Sequence, residues 1–254
     1  MDLDCTSFET TLESVSGIVR LSPDELIARL HEIPNVDTTY SDPDEWVPQA
    51  LLQTLQFNPM PETAIWFHAT RIPRGTTFCE GLLPTSLIRP TLERQLQELA
   101  AKLGLCPEDE WDSLPRQGHD ATRLRWKANQ APSDDGPHGF LFREMIVEKI
   151  SDAGVSSIAD YTGEPEIVKE ICSAIPSCIG GPVLAAYREL AHRAIVKFRY
   201  APEPLLRVGA LKRAVKYLHA TLHGDRDWDQ CSYGCDCKGR PVPRDDVLSI
   251  EFLA

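Results

Sequence analysis

The sequence lacks the features of a membrane or secreted protein. No apolar run reaches the roughly 18–20 residues that a membrane-spanning helix needs. The first residues are acidic and contain neither the basic nor the apolar segment of a signal peptide. We therefore expect a cytoplasmic protein with no membrane partner, whose eight cysteines are reduced thiols.

Positive charge is also scarce, because 26 lysines and arginines face 38 acidic residues and the net charge is −12. A chain of this charge repels phosphate backbones on average. The composition therefore argues against a general nucleic-acid-binding protein, although a local basic cleft is still compatible with it.

Several catalytic motifs are absent. The sequence contains no Walker loop, no GxGxxG, no HExxH and no serine-nucleophile elbow. It also shows no internal repeat, which argues against a solenoid. With 254 residues, of which 42% are hydrophobic, the chain can build one large core, alone or with a helical extension.

Residues 1–60 carry helix signals and no site chemistry. Ser22-Pro23-Asp24-Glu25 places an N-cap serine before a proline and two acids, and Asp42-Pro43-Asp44-Glu45 repeats this start signal. We expect a helical N-terminal extension over residues 1–60 and a main core over 61–254. Further helices are expected at residues 91–105, 164–175, 182–192 and 208–223.

Four apolar segments bounded by turn signals are predicted strands, at residues 64–68, 138–143, 194–200 and 247–252. Helices and long loops separate them without the regular spacing of βαβ units. This pattern predicts an α+β fold with a mixed or antiparallel sheet.

The segment Ile65–Arg71 holds the most informative polar residues. It places His68 at the end of a buried strand, and Thr70 points to the same side because side chains alternate along a strand. An imidazole and a hydroxyl in this arrangement suit the two hydroxyls of a ribose, and the backbone of Ala69 suits an amide.

This segment resembles the first motif of the ADP-ribosyltransferase superfamily, which includes the RNA 2′-phosphotransferases. In that superfamily a strand ending in His-x-Thr is followed by a short Gly-Leu segment, typically with a proline after it. Here Phe67-His68-Ala69-Thr70 is followed by Gly81-Leu82-Leu83-Pro84. Ala69 stands where the superfamily usually has glycine.

The resemblance implies an NAD site made in the order histidine, aromatic ring, acid. It implies that the nicotinamide ribose and carboxamide are held by His68, Ala69 and Thr70. The ring that stacks on nicotinamide would come from Phe140, Phe142 or Tyr161. The late acid would be Asp245 or Asp246, where the superfamily usually has glutamate.

The chemistry of such a site is consistent. Cleaving the bond to nicotinamide builds positive charge on the ribose, which a nearby carboxylate stabilises. A guanidinium from Arg71, Arg74 or Arg143 suits the pyrophosphate. The resemblance therefore implies NAD-dependent transfer of ADP-ribose to a macromolecular acceptor, as in a toxin, an effector or a defence enzyme.

Two alternatives stay open. The first is NAD-dependent removal of a 2′-phosphate from RNA, which needs a basic cleft formed by Arg71, Arg74, Arg123 and Arg125. The second is a non-catalytic interaction protein, with or without a stabilising zinc ion, in which His68 is a structural histidine.

A second group of residues is typical of a metal site. His219 and His223 are one helical turn apart, and three cysteines follow at Cys231, Cys235 and Cys237. Together they predict a structural zinc ion that fixes the loop before the last strand. Because C-x3-C-x-C is not a standard finger spacing, a solvated acidic loop with reduced thiols is the alternative.

Overall fold

A computed structural model of the chain describes residues 1–34, 43–119, 121–122, 124, 135–151, 165–225 and 233–253. The chain is a mixed α+β protein with an open antiparallel sheet, which confirms the predicted fold class at this level. None of the helices in the described ranges is both long and apolar enough to cross a membrane.

The described residues form a six-stranded sheet in the order β5-β3-β2-β4-β6, and β1 pairs in parallel with β2. Strand β2 pairs antiparallel with β3, with Phe67 opposite Phe140. The strands are β1 (Asp2–Leu3), β2 (Thr63–Pro73), β3 (His138–Phe140), β4 (Ala191–Tyr200), β5 (Gly234–Asp236) and β6 (Val247–Phe252).

Helices occupy most of the remaining described chain. Ser7 and Ser22 cap the first two helices through capping boxes, as the serine-proline start signal predicts for the second. The helices are α1 (Phe8–Val19), α2 (Pro23–Glu32), α3 (Pro43–Leu52), α4 (Thr85–Lys102), α5 (Arg143–Ser151), α6 (Glu166–Ala174), α7 (Ser177–Leu190) and α8 (Pro204–Leu222), with 3-10 turns at Glu108–Ser113 and Arg244–Asp246.

The chain divides into two compact units, each made of three segments. The first unit comprises residues 1–67, 139–151 and 197–235. In this unit helix α8 packs against α1, α2 and α3. Its largest fully buried side chains are aromatic and include Trp66, Phe67, Phe142, Phe198 and Tyr217.

The second unit comprises residues 68–138, 152–196 and 236–254. Helices α4, α6 and α7 pack against one another in this unit. Their apolar faces form one core with buried residues that include Leu96, Trp111, Ile171, Val183 and Ala191.

The predicted N-terminal extension is helical, but it belongs to the same compact unit as α8. Residues 1–60 contain α1, α2 and α3, as expected, together with the short strand β1. The first of the boundaries between the units along the chain falls between Phe67 and His68.

The ends of strands β2 and β3 differ from the predictions. Strand β2 continues to Pro73, so His68 lies in mid-strand and not at a strand end. The prediction of a loop from Arg71 was wrong, because β2 continues through this residue beside its neighbour β4. Strand β3 stops at Phe140, because Arg143 already begins α5.

Gly81 holds a close contact between two segments of the second unit. It has a positive φ of 81°, and a Cβ at this position would lie 2.0 Å from the carbonyl oxygen of Val242. The neighbouring Leu82 pairs with Val242 through two backbone hydrogen bonds of 3.0 and 2.9 Å. Only glycine fits this approach.

We predict that Gly81→Ala destabilises the protein by at least about 2 kcal/mol more than Gly75→Ala. Both residues have positive φ, so each alanine costs about 1–2 kcal/mol of backbone strain. Nothing lies within 4 Å of a Cβ at Gly75, so only Gly81→Ala adds a clash with backbone. Urea unfolding of both variants measures the difference, and equal losses would contradict the contact.

Candidate functional site

His68 makes one strong hydrogen bond within the second unit. Its Nδ1 lies 2.8 Å from the carbonyl oxygen of His138. Because a carbonyl only accepts, Nδ1 carries the proton and donates. The neutral ring therefore keeps a lone pair on Nε2, which is available to accept a hydrogen bond from a ligand hydroxyl.

The surroundings of His68 keep its ring neutral. Burial lowers the pKa of His68 below its ordinary value, and a charge on His138 would lower it further. The hydrogen bond to the His138 carbonyl opposes this effect but is the smaller influence. His68 is thus a neutral acceptor near pH 7.

The two residues that follow His68 on β2 are buried, so little of either side chain is accessible to a ligand. Ala69 and Thr70 are 7% and 8% exposed. Thr70 shares a strand face with His68, as predicted. Its predicted role at a ribose hydroxyl stays a prediction.

Arg71 binds protein backbone at the end of α7. Its Nε donates to the carbonyl of Ala191 at 2.8 Å, and one terminal nitrogen donates to the carbonyl of Arg188 at 2.9 Å. The Tyr187 hydroxyl donates in turn to the carbonyl of Arg71, and burial raises the pKa of Tyr187 to about 12. The guanidinium thus satisfies backbone carbonyls that the helix leaves unpaired.

This arrangement gives Arg71 a structural role that the sequence did not indicate. A pyrophosphate bound there would have to compete with both carbonyls. Arg74 is exposed in the turn after β2, so its side chain is accessible to a ligand. The predicted phosphate contacts of both arginines stay predictions.

The Gly-Leu segment and the late acids meet in one part of the second unit. Leu82 pairs with Val242, and the chain then passes through Pro243 into the 3-10 turn that contains Asp245 and Asp246. This turn leads directly into strand β6. The first-motif companion segment and the predicted acids are therefore neighbours.

His68 lies on β2, whereas these acids lie in the turn just before β6, a strand that does not pair with β2. Strand β4 lies between β2, which carries His68, and β6, which follows Asp245 and Asp246. Two strand spacings amount to about 10 Å. Shared catalysis by His68 and the acids requires a ligand that spans the width of β4, and it stays a prediction.

The predicted aromatic residues have different environments. Phe142 is 1% exposed, and its ring centroid lies 4.8 Å from that of Tyr217 in the core of the first unit. This burial does not fit the expectation that Phe142 stacks on nicotinamide. Phe140 is half-buried on β3, and Tyr161 lies outside the described residues.

Arg143 is half-buried at the start of α5, and its backbone amide donates to the Cys5 carbonyl.

A carboxylate that the sequence did not indicate lies beside His138. Oδ1 of Asp236 is 3.9 Å from Nδ1 of His138 and also accepts a 2.7 Å hydrogen bond from the Lys238 amide. The amide of Cys237 donates to the Pro137 carbonyl, which joins the two segments. Strand β5 has only three residues, too few for an alternating pattern to reveal it.

The predicted zinc ligands are only partly described. Cys231 lies outside the described residues, whereas Cys235 and Cys237 are buried. In the part of the chain that the structure describes, no three histidine, cysteine or acidic side chains are placed to hold a metal ion together. Zinc bound by His219, His223 and the cysteines stays a prediction.

Comparison with known proteins gives no relative: no family model matches the chain, and neither a curated protein nor a solved structure is significantly similar to it.

We predict that Arg71→Met lowers the free energy of unfolding by about 1–3 kcal/mol. The change removes two charge-assisted hydrogen bonds to backbone carbonyls, which are worth more than neutral ones. Arg74→Met is the matched control, and we expect a change within about 0.5 kcal/mol because that side chain is exposed. Chemical denaturation measures the free energy of unfolding of both variants. If Arg71→Met leaves it unchanged, the guanidinium is dispensable for stability.

His68 should also make stability depend on pH. Its folded-state pKa is lowered, so below about pH 6.5 the unfolded chain binds more protons than the folded chain. The stability from neutral His68 is complete above that pH and decreases as the pH falls towards the folded-state pKa.

Stability measured by urea unfolding at pH 8 and pH 5 should therefore fall less in His68→Gln than in the unmodified protein. His219 contributes with the same sign in both proteins, so the difference isolates His68. An identical fall in both proteins would contradict the lowered pKa of His68.

Proposed function

We propose that this protein transfers ADP-ribose from NAD to a macromolecular acceptor. The observation that carries the proposal is His68, a neutral imidazole whose Nδ1–H is held by the His138 carbonyl and whose Nε2 is an acceptor. The resemblance of residues 67–70 and 81–84 to the first ADP-ribosyltransferase motif supplies the reaction class.

The donor set fits part of an NAD molecule. The Nε2 of His68 suits a hydroxyl of the nicotinamide ribose, because a hydroxyl donates to an unprotonated ring nitrogen. Phe140 is the described candidate for the stacking ring, since Phe142 is in the core. Arg74 suits the pyrophosphate better than Arg71, whose guanidinium binds two carbonyls.

The acids supply the electrostatic part of the proposed reaction. Loss of nicotinamide leaves positive charge on the ribose, and a carboxylate from Asp245 or Asp246 would stabilise this charge or orient the acceptor. Gly81 supports the proposal, because its contact with Val242 fixes the chain just before these acids. The acidic net charge favours a protein acceptor over a nucleic acid.

The proposal is tested with NAD labelled in nicotinamide. We expect the protein to release nicotinamide, and His68→Ala to lower kcat/KM by about 10- to 100-fold, which corresponds to one hydrogen bond of about 1.5–3 kcal/mol in the transition state. Asp245→Asn combined with Asp246→Asn should lower kcat with less effect on NAD binding, because the acids act on charge that develops during the reaction.

His192→Ala is the matched control for these variants, because it removes a half-buried histidine from β4. It should keep full activity, and thermal unfolding of every variant shows whether the fold is retained. No nicotinamide release by the unmodified protein, with or without a cell lysate as the acceptor source, would refute the proposal. The same holds if His68→Ala is folded and fully active.

A further inference from the structure

Three histidines meet at the C-terminal end of α8 in the first unit. His219 and His223 lie one turn apart on this helix, with ring centroids separated by 4.4 Å. His31, in the last turn of α2, places its ring 5.6 Å from that of His223. The metal motif predicted from sequence contains His219, His223 and three cysteines but not His31.

His219 has the hydrogen bond that is typical of a metal-binding imidazole. Its Nε2 lies 3.0 Å from the carbonyl oxygen of Ile33, so this nitrogen carries the proton and Nδ1 keeps a lone pair. Imidazoles that bind metals usually donate their second ring nitrogen to a carbonyl or carboxylate in this way. His219 is 4% exposed, so the ring is held in place by the surrounding core.

His223 has an unmatched nitrogen. Its Nε2 is buried and has no hydrogen-bond partner among the described residues. A buried polar atom without a partner destabilises a protein, because it has lost its hydrogen bonds to water. In the tautomer protonated at Nδ1, this nitrogen has a lone pair that a bound cation would use.

We propose that His31, His219 and His223 bind one first-row transition-metal ion, such as Zn²⁺, through their imidazoles. Imidazole ligands suit Zn²⁺, Cu²⁺ and Ni²⁺, and a three-histidine set leaves room for a solvent ligand. The three nitrogens do not converge in the described arrangement. His31 is exposed, however, so its side chain is free to turn towards the pair on α8.

The ligand set differs from the one predicted from sequence, because it includes His31 and no thiolate. Bound metal would join the last turn of α2 to the last turn of α8. These two helices already pack together, so the ion would stabilise an existing contact. The proposal does not depend on the proposed transfer reaction.

The test uses the full chain without a histidine tag, freed of metal by a chelator and then titrated with Zn²⁺ in a calorimeter. We expect one equivalent to bind and the melting temperature to rise with zinc concentration. His31→Ala should weaken binding at least tenfold without unfolding the protein, since this side chain is exposed. His223→Ala should weaken it further, and His192→Ala should leave it unchanged.

Co²⁺ distinguishes the three-histidine site from the one that contains cysteine. We expect weak visible absorption bands and no intense thiolate-to-cobalt charge-transfer band, and Cys235→Ser and Cys237→Ser should not alter the spectrum. A thiolate band, or binding that survives His31→Ala unchanged, would overturn the proposed ligand set. Absence of both heat and a change in melting temperature with Zn²⁺ would overturn metal binding altogether.

Discussion

The burial of β2 is the constraint on which the other features of the sheet depend. Residues Ala64 to Phe67 are almost completely enclosed, and so are Ala69 and Thr70. A strand with neighbours on both sides has little contact with water, so a polar side chain on it needs a partner within the protein. His68 and Arg71 both meet this requirement by donating to backbone carbonyls.

The same constraint gives the two residues different chemical properties. The carbonyl opposite His68 binds only one ring nitrogen, so the other keeps its lone pair and stays reactive towards donors. Arg71 uses two nitrogens on carbonyls at the end of a helix, so its charge is committed to the fold. His68 is therefore a candidate binding group, whereas Arg71, three positions later on the same strand, has a structural role.

The elements with strong local signals could be predicted from sequence. Strand β6 has the predicted bounds Val247–Phe252, and α2 begins after Ser22, where serine, proline and acids coincide. Predictions failed where long-range contacts decide the structure. Strand β2 lies beside β4, which is more than a hundred residues later in the sequence, and β5 is too short to show a pattern. The proximity of His31 to His223 likewise comes from the packing of α2 on α8, which no local spacing reveals.

The interleaved composition of the two units has a consequence for synthesis and folding. The first unit needs residues from both ends of the range 1–235, because α8 packs against the three N-terminal helices. On the ribosome those helices emerge long before their partner, and their apolar faces stay uncovered while about 150 further residues are translated. Contacts between such distant residues slow folding, since a long loop must close before they form. The chain is therefore expected to complete the fold of the first unit only after α8 has been synthesised.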